Sequence, residues 1–328
     1  MPGALPQGRG AVKLSELVGQ DRAGRRLKDL VVSERVPPAL LFQGPRGVGK
    51  AGAALALYAA LNCSKRKTDS CGECPSCASV ANGADSDLHR VDSAYQAGLR
   101  DEETAKQRSI RIDTVRHAIE IAGLRSFLGR WKAVIIEDAH LLEKAAANAM
   151  LKALEEPPPK TVWILTTHRP GDLLGTIRSR CQTLNFGPLG IDALIAILGT
   201  RGIDEAAARA AAPLAEGSAR RALELIETPP ASPSDWISDP MGPFTLADAL
   251  PKELHLARPV AEKHLHRIAW FIREKRGTQG YRFAPVRSVL REIDELHGAL
   301  KSNADPKIIV ELAAFRLQQL HSIGGFPS

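Results

Sequence analysis

The stretch ALLFQGPRGVGK, at residues 39–50, decides the fold of this sequence. Residues 39–42 are a short apolar run bounded by prolines and a glycine, which predicts a buried strand. Residues 44–50, called the glycine loop here, carry the pattern G-x-x-x-x-G-K, formed by Gly44, Gly47, Gly49 and Lys50. In that pattern backbone N–H groups surround phosphates and the lysine contacts the outer phosphates. An alanine-rich helix is predicted to follow, so the segment indicates strand, loop and helix.

Ala51 departs from the phosphate-binding pattern, which continues with a Ser or Thr whose hydroxyl binds Mg²⁺. Because Mg²⁺ placement is central to phosphoryl transfer, the missing hydroxyl argues against efficient hydrolysis. Three interpretations of the loop remain: nucleotide hydrolysis, nucleotide binding without efficient hydrolysis, and a loop kept for its shape.

A second departure lies in AVIIEDAH at residues 133–140, a predicted buried strand that ends in Glu137 and Asp138. A hydrolytic site normally presents Asp for the metal and then Glu for the attacking water. Here the order is reversed, which again argues against efficient hydrolysis. The alternative is that the two acids form a solvated strand end.

Short apolar runs alternate with helical segments over residues 35–187, which predicts a parallel, doubly wound α/β sheet. The predicted strands include residues 39–42, 88–92, 133–138 and 161–167. The polar residues 94–109 are predicted to be a loop. Beyond Pro188 the periodicity is helical, and the Pro- and Ser-rich residues 228–243 predict a linker. The expected domains are therefore 1–188, 189–228 and 229–328.

Four of the five cysteines lie close together, at Cys63, Cys71, Cys74 and Cys77. Their two C-x2-C steps can direct four thiolates at one tetrahedral centre, which predicts a structural zinc site without an open coordination position. We call residues 63–77 the cysteine knuckle. An iron–sulfur cluster and free thiols are the alternatives. Cys181 is distant in sequence and is expected to be a buried or semi-buried thiol.

The composition is that of a folded protein, with 44% hydrophobic and 25% charged residues in 328. These values exclude a largely disordered or collagen-like chain. No apolar run predicts a signal peptide or a membrane span, so a cytoplasmic, reducing location is expected. The net charge of +7 permits a nucleic-acid partner without demonstrating one.

Taken together, these segments resemble the clamp-loader branch of the AAA+ ATPases over about residues 15–225. The matching stretches, besides the glycine loop and the knuckle, are LVGQDRAGRRL at 17–27, VIIEDAHLLEKAAANAMLKALEEPP at 134–158, TIRSRC at 176–181 and GSARRAL at 217–223. The resemblance implies a RecA-like P-loop domain of the AAA+ class with an inserted zinc knuckle. A small helical lid domain and an all-α collar domain for oligomerisation would follow.

The resemblance also implies roles for single residues. Arg180, in the motif Ser-Arg-Cys, matches an arginine finger that reaches the γ-phosphate of ATP bound by a neighbouring subunit. Arg220 matches the second sensor arginine, beside a nucleotide site formed by Gly44, Gly47, Gly49 and Lys50. Zn²⁺ would be structural, whereas binding of ATP and Mg²⁺ by this chain stays open.

The partners that the resemblance implies are other clamp-loader subunits, of the gamma/tau and delta types, in a hetero-pentameric ring. Through that ring the chain would act on a sliding clamp and primed DNA, with no membrane involved. The type that fits the two departures is a non-hydrolysing subunit with an intact finger. Two alternatives remain: an active clamp-loader ATPase of the gamma/tau type, and a zinc-stabilised DNA-binding protein.

Overall fold

The computed structural model describes residues 13–65, 68–104, 107, 109–126, 130–227, 237, 239–274, 283–302 and 304–322. Residues 1–14 contain Pro and Gly and show little periodicity, which predicts a loose leader. Most of these residues and most of the predicted linker at 228–243 lie outside the described residues. The chain divides into two compact units. The first holds the described residues up to Arg201 with Gly217–Arg220, and the second holds Gly202–Glu216 with the described residues from Arg221 onward.

The first unit is built on one sheet of five parallel strands, which confirms the predicted α/β class. The strands are β1 (Ala39–Gln43), β2 (Leu88–Val91), β3 (Lys132–Ile136), β4 (Thr161–Thr167) and β5 (Gln182–Asn185). Their order in the sheet is β2-β3-β4-β1-β5. The crossovers carry helices, as parallel pairing requires.

The helices of the first unit are α1 (Asp21–Ser33), α2 (Lys50–Leu61), α3 (Pro75–Ala81), α4 (Ser93–Arg100), α5 (Ile112–Gly123), α6 (Lys144–Glu155), α7 (Gly175–Arg178) and α8 (Ile191–Gly199). One sheet face packs on α5 and α6 through fully buried side chains such as Val134, Trp163 and Met150. Burial on both faces explains why the strand sequences are continuously apolar rather than alternating.

The prediction of a loop over residues 94–109 was wrong for its first part, because α4 occupies Ser93–Arg100. The Asp92 side chain caps this helix by accepting a hydrogen bond from the Tyr95 backbone N–H at 2.8 Å. On the buried side, Gln96 donates through Nε2 to the Ser109 carbonyl, and its Oε1 accepts from Thr114 Oγ1. The helix was missed because its prediction depends on the spacing of apolar residues, and a polar residue at a buried position interrupts that spacing.

Every regular element described in the second unit is a helix, as predicted for the chain beyond Pro188. Its helices are α9 (Glu205–Ala211), most of α10 (Ala219–Glu227), α11 (Gly242–Asp248), α12 (Leu254–Glu274), α13 (Phe283–Lys301) and α14 (Pro306–Ser322). The last three helices pack around buried residues such as Ile268, Ile293 and Val310. Within the described part of the chain, no helix is long and apolar enough to span a bilayer. The division into three domains stays a prediction.

A partly buried charge cluster lies inside the second unit. Arg221 contacts the His266 ring and pairs with Glu262 at 3.4 Å, and His297 Nε2 lies 3.0 Å from Glu262 Oε1. The hydrogen bond with His297 holds the pKa of Glu262 at about 2. Burial, reinforced by the charge of Arg221, lowers the pKa of His266 to about 4.

This cluster predicts a loss of stability in mild acid. Between pH 6.5 and pH 4 the unfolded chain binds a proton at His266 that the folded chain refuses, so the free energy of unfolding falls as the pH falls. The effect between pH 7 and pH 5 is about 2 kcal/mol. Denaturant unfolding at both pH values should show this difference shrinking by about that amount in His266→Gln. An equal pH dependence in the variant and the parent would contradict the assignment.

Candidate functional site

The glycine loop runs from the end of β1 to the start of α2 and needs its glycines. Gly44 has φ +149°, and a side chain there would collide with the Phe186 carbonyl. Gly49 precedes α2 with φ +99°, in the left-handed region that favours glycine. The structure thus brings the predicted glycines and Lys50 together in one loop–helix junction.

Lys50 is held inside this loop. Its side chain is buried, and Nζ donates to the carbonyl oxygens of Gly44 at 2.7 Å and Pro45 at 2.5 Å. Burial lowers the pKa of Lys50 to about 8, while the nearby Asp138 carboxylate opposes that shift. The ammonium is therefore charged at pH 7 but engaged with the loop's own backbone. A phosphate that bound here would have to replace these two hydrogen bonds.

The start of α10 lies directly on the glycine loop. The Ala219 backbone N–H donates to the Gly47 carbonyl at 3.0 Å. A Cβ added at Gly47 would come within 2.8 Å of Arg220 Cβ and would overlap Ser218 Oγ. Arg220 thus lies against the loop, and its role as the second sensor arginine stays a prediction.

The carboxylates of the two acids after β3 have different partners. Arg90, on the neighbouring strand β2, donates to Glu137 Oε1 from two nitrogens, at 2.5 and 3.0 Å. Asp138 has φ +50° and directs its carboxylate elsewhere, to His168 Nδ1 at 3.2 Å. A left-handed residue at a functional strand end is tolerated best by Asp and Asn among non-glycine residues.

Two histidines that were not predicted from the sequence to be site residues lie beside Asp138. His140 follows β3 and His168 follows β4, and their ring centroids are 4.3 Å apart. Thr167 Oγ1 lies 3.2 Å from His140 Nδ1 and accepts the Arg169 N–H, which is the role of a strand cap. Burial, and next the charge of His168, lower the pKa of His140. The signal that could have found them is strand adjacency, since β3 and β4 pair in parallel and end at one edge.

Arg180 lies between α7 and β5. Its Nε donates to Glu155 Oε1 at 2.5 Å and one terminal nitrogen donates to the Thr176 carbonyl at 3.0 Å. A third of the side chain stays exposed, at 33%. The next residue, Cys181, is buried in the core as expected, and burial raises the pKa of its thiol to about 12. The buried thiol anchors the chain next to a guanidinium whose side chain is one third exposed.

The amino ends of the parallel strands form one edge of the sheet and their carboxyl ends form the opposite edge. Arg180 lies at the first of these edges and the glycine loop lies at the second. Leu40 pairs with Gln182 in parallel register, so Arg180 is level with the residue before β1, whereas the glycine loop follows the end of β1. The five residues of β1 lie between these two levels, which are therefore roughly 20 Å apart along the strand direction. Arg180 therefore does not serve the glycine loop of its own chain.

The four clustered cysteines meet in space, with one sulfur from each lying within 4.8 Å of the others. Cys71 Sγ and Cys77 Sγ are 3.9 Å apart. Cys71 Sγ accepts backbone N–H bonds from Glu73 at 3.4 Å and Cys74 at 3.3 Å, and the first of these leads in lowering the pKa of Cys71. Such N–H···S bonds preorganise a thiolate ligand set.

A family model described as "DNA polymerase III, delta subunit" matches residues 19–190. Three curated relatives are DNA polymerase III subunits. Subunit tau of Bacillus subtilis is 30% identical over 66% of this chain and 37% of its own length. Subunit tau of Escherichia coli is 32% identical over 68% and 34%. Subunit gamma/tau of Mycobacterium tuberculosis is 34% identical over 52% and 28%. The chain thus spans about a third of the length of these relatives.

Two solved structures from Thermotoga maritima are similar at low identity. A DNA polymerase III gamma subunit-related protein has 17% identity and a TM-score of 0.40, covering 90% of this chain and 98% of that one. The RuvB Holliday junction branch migration motor has 18% identity and a TM-score of 0.44, covering 93% and 89%.

The close approach of residues 218–220 to Gly47 can be tested with a matched pair of glycine substitutions. Gly47→Ala should destabilise the protein by about 1–3 kcal/mol, because it adds a clash to a left-handed backbone. Gly52→Ala, inside α2 with open space around its Cα, should stabilise by about 0.5–1 kcal/mol. Denaturant unfolding of both variants measures the contrast. Equal effects would contradict the close approach of residues 218–220, which belong to the first unit, to Gly47.

Proposed function

This chain belongs to the DNA polymerase III delta and gamma/tau subunit family, and from that premise we propose that it is a clamp-loader subunit of the delta-prime type. It does not hydrolyse ATP efficiently, and it supplies Arg180 to the ATP site of a neighbouring subunit. In a hetero-pentameric ring with gamma/tau and delta subunits it helps to load the sliding clamp onto primed DNA. The names of the curated relatives, gamma and tau, do not single out the delta-prime type.

The observation that carries this proposal is the position of Arg180. Its guanidinium lies at the sheet edge opposite to its own glycine loop and is a third exposed. An arginine placed there can reach a phosphate only when another molecule brings one. Guanidinium suits the task because its fixed fork and permanent charge match the charge that develops on a transferred phosphoryl group.

Glu155 sets the resting position of the finger. Its carboxylate holds Arg180 Nε at 2.5 Å, while Thr176 holds a terminal nitrogen through a neutral carbonyl. A neighbour's γ-phosphate would offer a stronger acceptor than the carbonyl. The finger can therefore turn toward the phosphate and keep its contact with Glu155.

Three features of the chain's own nucleotide site oppose hydrolysis. Ala51 offers no hydroxyl for Mg²⁺. Glu137 is engaged by Arg90 and so does not orient water beside the loop. Lys50 is bonded to two backbone carbonyls of the loop. These features support the interpretation that the loop is kept for shape or for weak binding of nucleotide.

The knuckle fits a structural zinc ion. The four sulfurs lie within 4.8 Å of one another, and sulfur ligands at about 2.3 Å from zinc need only a small contraction of this spacing. N–H···S bonds to Cys71 favour the thiolate. Four thiolates leave no open position on the ion, so the site would stabilise residues 63–77 and carry no catalysis.

The second unit supports a role in oligomerisation. Ile308 and Leu312, one turn apart on α14, are both about half exposed. Phe244, on α11, is partly exposed and stacks edge-on against Phe315 of α14. Exposed apolar side chains that gather on packed helices are typical of a surface that another subunit covers.

The alternative is an active clamp-loader ATPase of the gamma/tau type, which the names of the curated relatives favour. Hydrolysis by the isolated chain separates the two proposals. For the delta-prime type we expect no measurable turnover, and Lys50→Ala should leave that baseline unchanged. Turnover that disappears in Lys50→Ala would instead establish the gamma/tau type.

Zinc in the knuckle is tested by metal analysis of freshly reduced protein. We expect zinc in the parent and in Cys181→Ser, and the loss of one zinc ion per chain in Cys74→Ser. Thermal unfolding of Cys74→Ser should begin at a lower temperature, because metal binding contributes to folding. An equal zinc content in Cys74→Ser and the parent would contradict the site.

The finger is tested by reconstitution with gamma/tau and delta subunits. Arg180→Ala should assemble, which size-exclusion chromatography checks, and hydrolysis at the neighbouring site should fall by about 10³-fold or more. Total ATP hydrolysis then loses the share of that site. Arg178→Ala, an exposed arginine at the end of α7, is the matched control and should retain full activity. Unchanged hydrolysis in Arg180→Ala would overturn the finger.

A further inference from the structure

Asp138, His140 and His168 form a compact group, called the Asp-His-His triad here. They come from the ends of two adjacent parallel strands, β3 and β4. One ligand atom from each residue lies within 4.8 Å of the other two. Each of the three side chains is only partly buried, so solvent and a dissolved ion can reach them.

The chemistry of the triad is specific. Two imidazoles and one carboxylate are the donor set that zinc and other first-row divalent ions use in sites with open positions. Mg²⁺ prefers oxygen ligands alone, so the triad differs from a nucleotide–magnesium site. Because the three donors all belong to the chain, binding would need no nucleotide.

The distances require little rearrangement. His168 Nδ1 and Asp138 Oδ1 are already 3.2 Å apart, which is close to the ~3.3 Å between two ligands that each lie ~2.0–2.1 Å from one tetrahedral ion. The other two separations between ligand atoms are no larger than 4.8 Å, so an ion would have to draw these atoms together by no more than about 1.5 Å. Thr167 Oγ1 lies 3.2 Å from His140 Nδ1 and can orient that ring, as outer partners of metal-bound histidines do.

The charges around the triad are balanced. Lys50 lies within electrostatic range of Asp138. Arg169 and Asp172 both act on His140, and their charges oppose each other. Glu137, the neighbouring acid, is taken by Arg90 and does not compete for the ion. A divalent ion would therefore meet one carboxylate, two imidazoles and no excess of positive charge beyond Lys50.

We propose that Asp138, His140 and His168 bind one divalent transition-metal ion of the zinc and cobalt class, independently of nucleotide. Three protein ligands leave at least one coordination position for water or an anionic oxygen. The site lies beside the glycine loop but does not depend on phosphate binding there.

Cobalt is the probe, because its visible spectrum distinguishes ligand types and zinc's does not. We expect Co²⁺ added to protein that holds a single zinc ion per chain, in the knuckle, to give d–d absorption without thiolate charge-transfer bands, since the knuckle is a separate site. His168→Gln and Asp138→Asn should each weaken Co²⁺ binding at least ~10-fold, as loss of even an outer partner does. His321→Gln, an exposed histidine on α14, is the matched control and should bind as the parent does.

One further variant and one further measurement keep the result unambiguous. Cys74→Ser should retain this cobalt signal, which separates the triad from the knuckle. Thermal unfolding without metal shows whether His168→Gln is folded, and Asp138→Asn supplies a second, independent removal of a ligand. The proposal is overturned if the parent gives no thiolate-free cobalt spectrum, or if His168→Gln and Asp138→Asn bind Co²⁺ with parental affinity.

Discussion

The parallel pairing of β1 with β4 and β5 is the constraint on which the functional arrangement depends. Since every strand runs in the same direction, whatever follows a strand lies at one edge of the sheet and whatever precedes a strand lies at the other. The glycine loop, Asp138 and His168 occupy the first edge, and Arg180 occupies the second. One sheet thus places the glycine loop and Arg180 far apart, which is what the proposed role of Arg180 toward a neighbouring subunit requires.

At the edge that carries the glycine loop, charged groups are satisfied within the chain. Lys50 donates to loop carbonyls, Glu137 accepts from Arg90, and Asp138 contacts His168. A nucleotide would have to break some of these contacts without a hydroxyl at residue 51 to help hold Mg²⁺. The packing of Ala219 on Gly47 gives the loop a structural task that survives without nucleotide. The glycines therefore have a structural role in the same loop whose following residue, Ala51, has no hydroxyl for Mg²⁺.

The sequence predicted the parts of the fold that depend on local pattern. The continuous apolar run of β4 and the glycine pattern before α2 follow from burial on both sheet faces and from backbone geometry, and both predictions were confirmed. The grouping of the four knuckle thiols was also expected from their spacing. The helix α4 was missed because its buried face carries Gln96, a polar residue satisfied by hydrogen bonds.

Contacts between side chains on different strands could not be predicted from the sequence alone. Arg90 and Glu137 are far apart in the chain, and so are Asp138 and His168. Their contacts depend on which strands are neighbours in the sheet, and strand order is set by tertiary packing. The same holds for Arg180, whose distance from its own glycine loop follows from the register of β5 on β1.

The most direct measurement of the central claim is the position of Arg180 in the reconstituted complex. An experimental structure of that complex with a non-hydrolysable ATP analogue would show it. The account predicts that the guanidinium lies within hydrogen-bonding distance of the γ-phosphate held by the adjacent subunit. An Arg180 side chain that contacts only Glu155 and Thr176 while the neighbour's site is filled would contradict the account.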